Sequence, residues 1–251
     1  MSQSVETYSG TQLPSCDWYW GTAERLALAD IVRLEPQPRP PSAEDEGYTH
    51  TLLFAFRRPS DEGSTQILLA RKLRGFGAGT HNGVGGKVDP QETARECILR
   101  ETREEVGVKL GPQEVQFVGK VGIKVPGKGG ESVRIAVFTT DSEMVREEVM
   151  ASDEVEARWY DVGSITGGEG EGLLDSIPGQ MRPEHKVYLG LLVGYQATKG
   201  ILFNVNVDFH QQPSKAQLPA GERPENHRTV RHWSLNVFHS HPSTDTIQCA
   251  P

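Results

Sequence analysis

Glu101, Glu104 and Glu105 stand at i, i+3 and i+4 of the stretch Gly86 to Val108, GKVDPQETARECILRETREEVGV. In a helix turning about 100° per residue the three share one face. Each like-charge pair on an exposed helix costs about 0.2–0.5 kcal/mol, a repulsion that gains nothing unless a cation sits among the carboxylates. Hard oxygen donors suit Mg²⁺ or Mn²⁺, and on these residues alone a solvated acidic face is the competing reading. The same helix, read from Glu92 to Val106, carries Ala94, Ile98, Leu99, Thr102 and Val106 on the adjoining arc, which supplies a core face. Thr102 lies mid-arc, where its hydroxyl can bond back to the carbonyl of Ile98. Gly107 is the expected stop.

The elements that must position this helix surround it in sequence. Thr49 to Phe56 and Gln66 to Ala70 read as β-strands joined as a hairpin. Arg71 to Val88 follows, rich in glycine and able to bring backbone close to a ligand. Further strands are expected at Val115 to Val125, Ser132 to Thr140 and Arg158 to Val162, with a surface loop over Gly163 to Gly172. Pro183 to Ala197 has helical spacing through Val187, Leu191, Leu192 and Tyr195, and Gly200 to Phe209 alternates as a strand closing the domain. Residues 1–46 read as an extension and linker, with an aromatic cluster at Cys16 to Trp20, a short helix over Thr22 to Arg33 and a proline run from Pro36 to Pro41. Residues 47–210 form the expected domain. From 211 to 251 the chain is polar and poor in aliphatics, and a disordered tail is expected. Its histidines include His239-Ser240-His241, which irregular spacing argues is solvated.

Composition narrows the partners. A chain of 251 residues with 36% hydrophobic content supports one good core. Its formal charge of −8 and lack of a basic stripe argue against a nucleic-acid polymer, while leaving room for a small anion bridged by metal. Cys16, Cys97 and Cys249 are widely separated and fit neither a disulfide framework nor a zinc site, which points to a reducing compartment; Cys97 reads as a packing residue. No apolar run approaches the roughly 18 residues of a membrane span, and no signal-peptide core is visible, so a cytoplasmic location is expected, as is a monomer.

Gly86, Glu92, Arg100, Glu101, Glu104, Glu105, Gly107 and Val108 fit the spacing G-x5-E-x7-R-E-U-x-E-E-x-G-U, where U is a bulky aliphatic, with Thr102 at the first U as the single departure. This resembles the box of the Nudix hydrolases. The resemblance implies an α/β fold, an α/β/α sandwich with a mixed β-sheet, and Mg²⁺-dependent (or Mn²⁺-dependent) hydrolysis of a diphosphate linkage. It implies Gly85, by its carbonyl, with Glu101, Glu104, Glu105 and Glu154 as the metal set, and Arg100 as the residue that holds the loop and helix together. Glu143, Glu147, Glu148 and Asp153 are competing acids near Glu154.

From Thr49 to Phe209 the chain also resembles the 8-oxo-dGTP diphosphatases, through Arg74 to Gly79, Asn82-Gly83, Gly85 to Val88, Val137 to Ser142 and Ser152 to Glu154. That resemblance implies a nucleotide substrate such as 8-oxo-dGTP, cleaved to monophosphate and pyrophosphate, and a base pocket built from Thr51, Lys72, Phe76, Asn82, Glu184 and His185. Where that family has tryptophan-proline and two aspartates, this chain has Arg182-Pro183-Glu184-His185, and two wall phenylalanines become Ile123 and Val125. These departures bear on the base rather than on the diphosphatase chemistry. They keep open another nucleoside diphosphate derivative, such as a dinucleoside polyphosphate or nucleotide sugar, and also a nucleotide-binding module without catalysis.

Overall fold

The computed structural model describes residues 4–11, 30–31, 39–58, 65–124, 126, 132–141, 149–162, 180–198 and 201–239. The aromatic cluster at 16–20, the loop at 163–172, Val125, Cys16 and Cys249, His241, and the competing acids Glu143, Glu147 and Glu148 lie outside them. The order is β1 (Ser4–Gly10), β2 (Asp30–Ile31), β3 (His50–Arg57), β4 (Gln66–Lys72), β5 (Thr80–Asn82), α1 (Ala94–Val106), β6 (Gln116–Lys124), β7 (Ser132–Thr140), β8 (Val155–Asp161), β9 (Gln180–Met181), α2 (His185–Thr198), β10 (Ile201–Phe209) and β11 (Val230–His239). Two 3-10 turns, Lys215–Gln217 and Pro224–His227, bridge β10 to β11.

The strands run β2-β1-β11-β10-β6-β7-β3-β4-β5-β9, with β8 on the side of β4. The sheet is mixed: β3/β7, β6/β10 and β5/β9 are parallel, and the other pairs are antiparallel. Period-two alternation explains the apolar run of β3. Leu52, Phe54 and Phe56 enter a core on one face with Val187, Tyr188, Leu191 and Leu192 of α2, while Leu53 and Ala55 enter a second core with Ala94, Ile98 and Val106 of α1. One helix therefore covers each face, which is the α/β/α sandwich. The expected hairpin of β3 and β4 survives as two residue pairs, Phe56↔Ile67 and Arg57↔Gln66, because β3 pairs chiefly with β7 and β4 with β8.

The two ends of the described chain correct the sequence-based expectation. Beyond 211 a disordered tail was expected, yet β11 pairs with β10 along its length, from Ile201↔His239 to Phe209↔Val230. The physical reason is the alternation Trp233, Leu235, Val237, all buried, inside a stretch whose average composition is polar. In turn β1 pairs with β11 from Ser4↔His239 to Gly10↔Trp233, so this part of the extension belongs to the sheet. Asp30–Ile31 is strand, paired with β1, where the end of a short helix was expected. β10 therefore does not close the sheet: it lies between β6 and β11, and the two ends of the strand order are β2 and β9.

Candidate active site

The loop ahead of α1 lies along β3 as if it were a further strand. Leu53 and Val84 exchange backbone bonds of 2.7 and 3.0 Å, Thr51 N–H donates to Gly86 O at 2.9 Å, and Val88 N–H donates to Thr49 O at 3.0 Å. This proximity dictates the glycines: Gly85 has φ 144° and a Cβ there would collide with the Thr51 carbonyl, while one on Gly86 would collide with the Glu101 carboxylate. Thr93 then opens α1 with a reciprocal capping box to Glu96, and Gly107, in the left-handed region, closes it. Thr102 Oγ donates to Ile98 O at 2.6 Å, so the polar residue at the aliphatic position is satisfied inside its own helix.

Arg100 organises the acidic face. Its Nε and Nη2 bind Glu92 in a bidentate fork at 2.9 Å each, and Nη1 donates to Glu101 at 2.9 Å and Glu104 at 3.0 Å. Nη2 also reaches the Lys87 carbonyl at 3.2 Å, which ties the loop to the helix. The Arg100 hydrogen bond is the main reason the Glu92 carboxyl titrates below its ordinary range. Glu105 is buried, and its Oε2 accepts from Gly85 N–H at 2.9 Å. Burial pushes its carboxyl up to about 7, with repulsion from Glu101 and Glu154 acting in the same direction and the Gly85 N–H and Lys72 opposing. Burial also raises Glu101, where Arg100 opposes and Glu104 and Glu154 add. Glu154, on the turn before β8, accepts from Arg74 at 2.7 Å, and its carbonyl receives Leu73 N–H at 2.8 Å.

Glu101, Glu105 and Glu154 thus sense one another electrostatically across α1 and the β8 turn. Among the described residues no group of three or more His, Cys, Asp or Glu side chains is arranged so that it could hold a metal ion by itself. The donor set nevertheless fits Mg²⁺, which is commonly bound through one or two carboxylates together with substrate phosphates rather than by an all-protein cage. Burial is the main cause of the raised Glu101 and Glu105 carboxyls and repulsion among the acids adds to it, a charge balance that a cation at this face would relieve.

A cavity of about 520 Å³ opens beside this face. Thr51, Lys72, Phe76 and Asn82, all expected from the sequence, line it together with Gly85, Gly86 and Ile123. His50, Leu52, Thr80, Lys87, Val133, Ile135 and Arg182 complete the wall with Arg228, which comes from the stretch expected to be disordered. No sequence signal marked Arg228, because its position depends on β11 entering the sheet. Arg182 and Arg228 each place a guanidinium 5.0 Å from the Phe76 ring centre.

Glu184 and His185 do not line the cavity; both are 1% exposed and lie beneath its wall. Both Glu184 carboxylate oxygens lack a hydrogen-bond partner among the described residues, and the nearest guanidinium nitrogen of Arg182 is 3.9 Å away. His185 Nε2 is 2.7 Å from Asn82 Oδ1, which also accepts from Gly83 N–H at 2.9 Å. An oxygen already fed by a backbone donor requires His185 to carry its proton on Nε2, leaving Nδ1 to accept from Tyr188 at 3.4 Å. His185 therefore positions Asn82.

Burial is the first cause that lowers the His185 pKa to about 4, with Glu184 opposing and Arg182 assisting. The unfolded chain then binds the extra proton first, so this contribution to stability is present above the ordinary histidine range and lost as pH falls toward 4. Urea unfolding should show a loss of about 2 kcal/mol from this group between pH 7 and pH 5. His185→Gln should flatten that slope.

A mixed sheet between two helices, with a cavity lined by the loop that precedes the glutamate helix, defines the domain as an α/β/α sandwich. Residues 51–177 match the NUDIX domain model, half of the chain, and the chain belongs to the Nudix family. Members of this family generally use a divalent metal and act on small nucleotide substrates. The chain is 34% identical over 106 residues to the oxidized purine nucleoside triphosphate hydrolase of Danio rerio, covering 40% of this chain and 61% of that protein. It is 33% identical over 111 residues to the NAD-capped RNA hydrolase NudC of Pseudomonas putida (strain W619), covering 40% of this chain and 33% of that one. The chain therefore spans less than two thirds of the length of either relative. Among solved structures, the mutator MutT protein of Bacillus halodurans aligns at TM-score 0.46 and 19% identity, over 64% of this chain and 88% of that one. No helix among the described residues is long and apolar enough to cross a membrane.

Proposed function

We propose that the protein is a Mg²⁺-dependent hydrolase that cleaves oxidised purine nucleoside triphosphates such as 8-oxo-dGTP to monophosphate and pyrophosphate, as a monomer acting on the cytoplasmic nucleotide pool. The observation that carries this reading is the shared cavity: Thr51, Lys72, Phe76 and Asn82 line the same space as Gly85 and Gly86, beside the glutamate helix. The name of the Danio rerio relative supports it. Glu101, Glu104, Glu105 and Glu154 would hold the cation, with the Gly85 carbonyl. A divalent ion there neutralises phosphate oxygens and activates a water. Lys72 belongs with Asn82 to the base pocket and Lys87 would meet phosphate oxygens from the cavity wall, while Arg100 fixes Glu101 and Glu104 in place and ties the loop to α1. Leu52, Ile123, Val133 and Ile135 give the base an apolar surface that excludes water.

The second reading, a nucleoside diphosphate derivative such as a dinucleotide, is favoured by Arg182 and Arg228 on the wall and by the name of the Pseudomonas putida relative. A panel of 8-oxo-dGTP, 2-oxo-dATP, dGTP, a dinucleoside polyphosphate and ADP-ribose, with kcat/KM and products measured in Mg²⁺, separates the two. The expected result is the highest kcat/KM for an oxidised purine triphosphate with pyrophosphate released. Equal rates for dGTP and 8-oxo-dGTP would remove the oxidised-purine assignment, and tight binding without release of any product would remove the enzyme.

A further inference from the structure

The turn Pro224–His227 is fastened to the glycine loop that carries Phe76. Glu225 accepts from Gly77 N–H at 3.4 Å, Asn226 Nδ2 donates to Ala78 O at 3.4 Å, and Arg223 donates to Gly75 O. This clamp delivers Arg228 to the cavity wall, where its guanidinium lies over both Phe76 and Phe209, at 5.0 and 5.4 Å from the ring centres. Its Nε is buried and has no hydrogen-bond acceptor among the described residues. Because that Nε is sealed from the cavity, what Arg228 brings to the wall is the rest of its guanidinium, which donates and cannot accept.

The rest of the polar wall has the same bias. Asn82 Oδ1 is occupied by Gly83 N–H and His185, so what Asn82 has left for a ligand is its amide N–H groups. Arg182, Lys72 and Lys87 donate only. The Thr80 hydroxyl hydrogen is given to Gly77 O at 2.6 Å, so toward a ligand Thr80 offers an acceptor oxygen and is an exception to this bias. The one carboxylate close by, Glu184, is sealed beneath the wall, which leaves the neutral side chains His50, Thr51 and Thr80 as the side-chain acceptors on a wall with four cationic donors.

We propose that Arg228 is a specificity-determining residue of the pocket, supplied by the segment between β10 and β11, and that it selects purines bearing a 6-keto oxygen over those bearing a 6-amino group. A guanidinium donates to O6 and repels an exocyclic amine, and Asn82 and Arg182 add donors to the same wall. This rests on the nucleotide reading above, but it concerns the base alone and can be read without turnover.

The test is equilibrium binding of the product monophosphates GMP, IMP and AMP to the full chain in Mg²⁺, with Arg228→Met and Arg228→Lys beside the parent. IMP keeps O6 and lacks the 2-amino group, so it isolates the keto oxygen. The parent should bind GMP and IMP roughly tenfold more tightly than AMP. Arg228→Met should bring all three within about threefold of one another by weakening GMP and IMP while AMP holds. Should Arg228→Met lose its fold by circular dichroism, Arg228→Lys decides, with a preference reduced but still present. A parent without the 6-keto preference, or a preference intact in the folded variants, overturns the proposal. The triphosphate reading fails separately: no nucleotide in the panel would release pyrophosphate, whatever the monophosphates do.

Discussion

Glu105→Gln should lower kcat on the preferred nucleotide by about 10²–10⁴-fold, the range over which a positioned proton-transferring or charge-bearing side chain contributes. The substitution keeps the shape of the side chain and an oxygen able to accept from Gly85 N–H, now at 2.9 Å, so the loop along β3 is retained. What is removed is a carboxylate that the fold buries against its preference, next to Glu101 and Glu154. The amide is uncharged, so its burial costs less than the carboxylate's. Steady-state kinetics and thermal unfolding on the same sample should therefore move in opposite senses, with kcat falling and Tm equal to or above the parent's. A variant with unchanged kcat would remove Glu105 from the chemistry.

The largest effect on stability is expected from the far end of the sheet. Trp233, 1% exposed, faces Gly10 of β1, whose Cα leaves room for the indole, and it shares a core with Leu235, Val237 and the residues of α2. Trp233→Ala should cost about 3–5 kcal/mol, read as a lower urea midpoint at unchanged slope. Ending the chain at residue 210 should do more, since β10 would lose one of its two partners and β1, among the described residues, its one long pairing. A truncated chain that unfolds cooperatively at the parent's midpoint would show that β11 is not part of the stable domain.

The contrast between these two regions shows what the sequence made legible. The acidic helix was readable because its signals are local: i, i+3, i+4 spacing, a stop at Gly107 and a hydroxyl within reach of its own helix at Thr102. Thr51, Lys72, Phe76 and Asn82 were assigned by resemblance, and they do line one cavity. Glu184 and His185 were assigned in the same way, but Pro183 and the start of α2 carry them below the wall, a difference of depth that no spacing rule reports. β11 was missed because the stretch from 211 was judged by its average polarity. Its alternation Trp233, Leu235, Val237 was present in the letters, and with it would have come the one route to Arg228.

The hydrogen bond of 2.9 Å between Thr7 and Asn236 joins residues 229 positions apart. At about 5–20 residues per second of synthesis, β1 waits on the order of 10–50 s for the strand it pairs with. For nearly all of that interval Arg228 has not been made, so the nascent chain carries α1 and its glutamates without a finished base pocket, and once β10 is complete at Phe209 its edge waits about 1.5–6 s more for β11 to be synthesised. An unpaired β10 is the kind of open strand edge that invites pairing with another chain, and β11 removes that edge from each new copy only at the end of its synthesis.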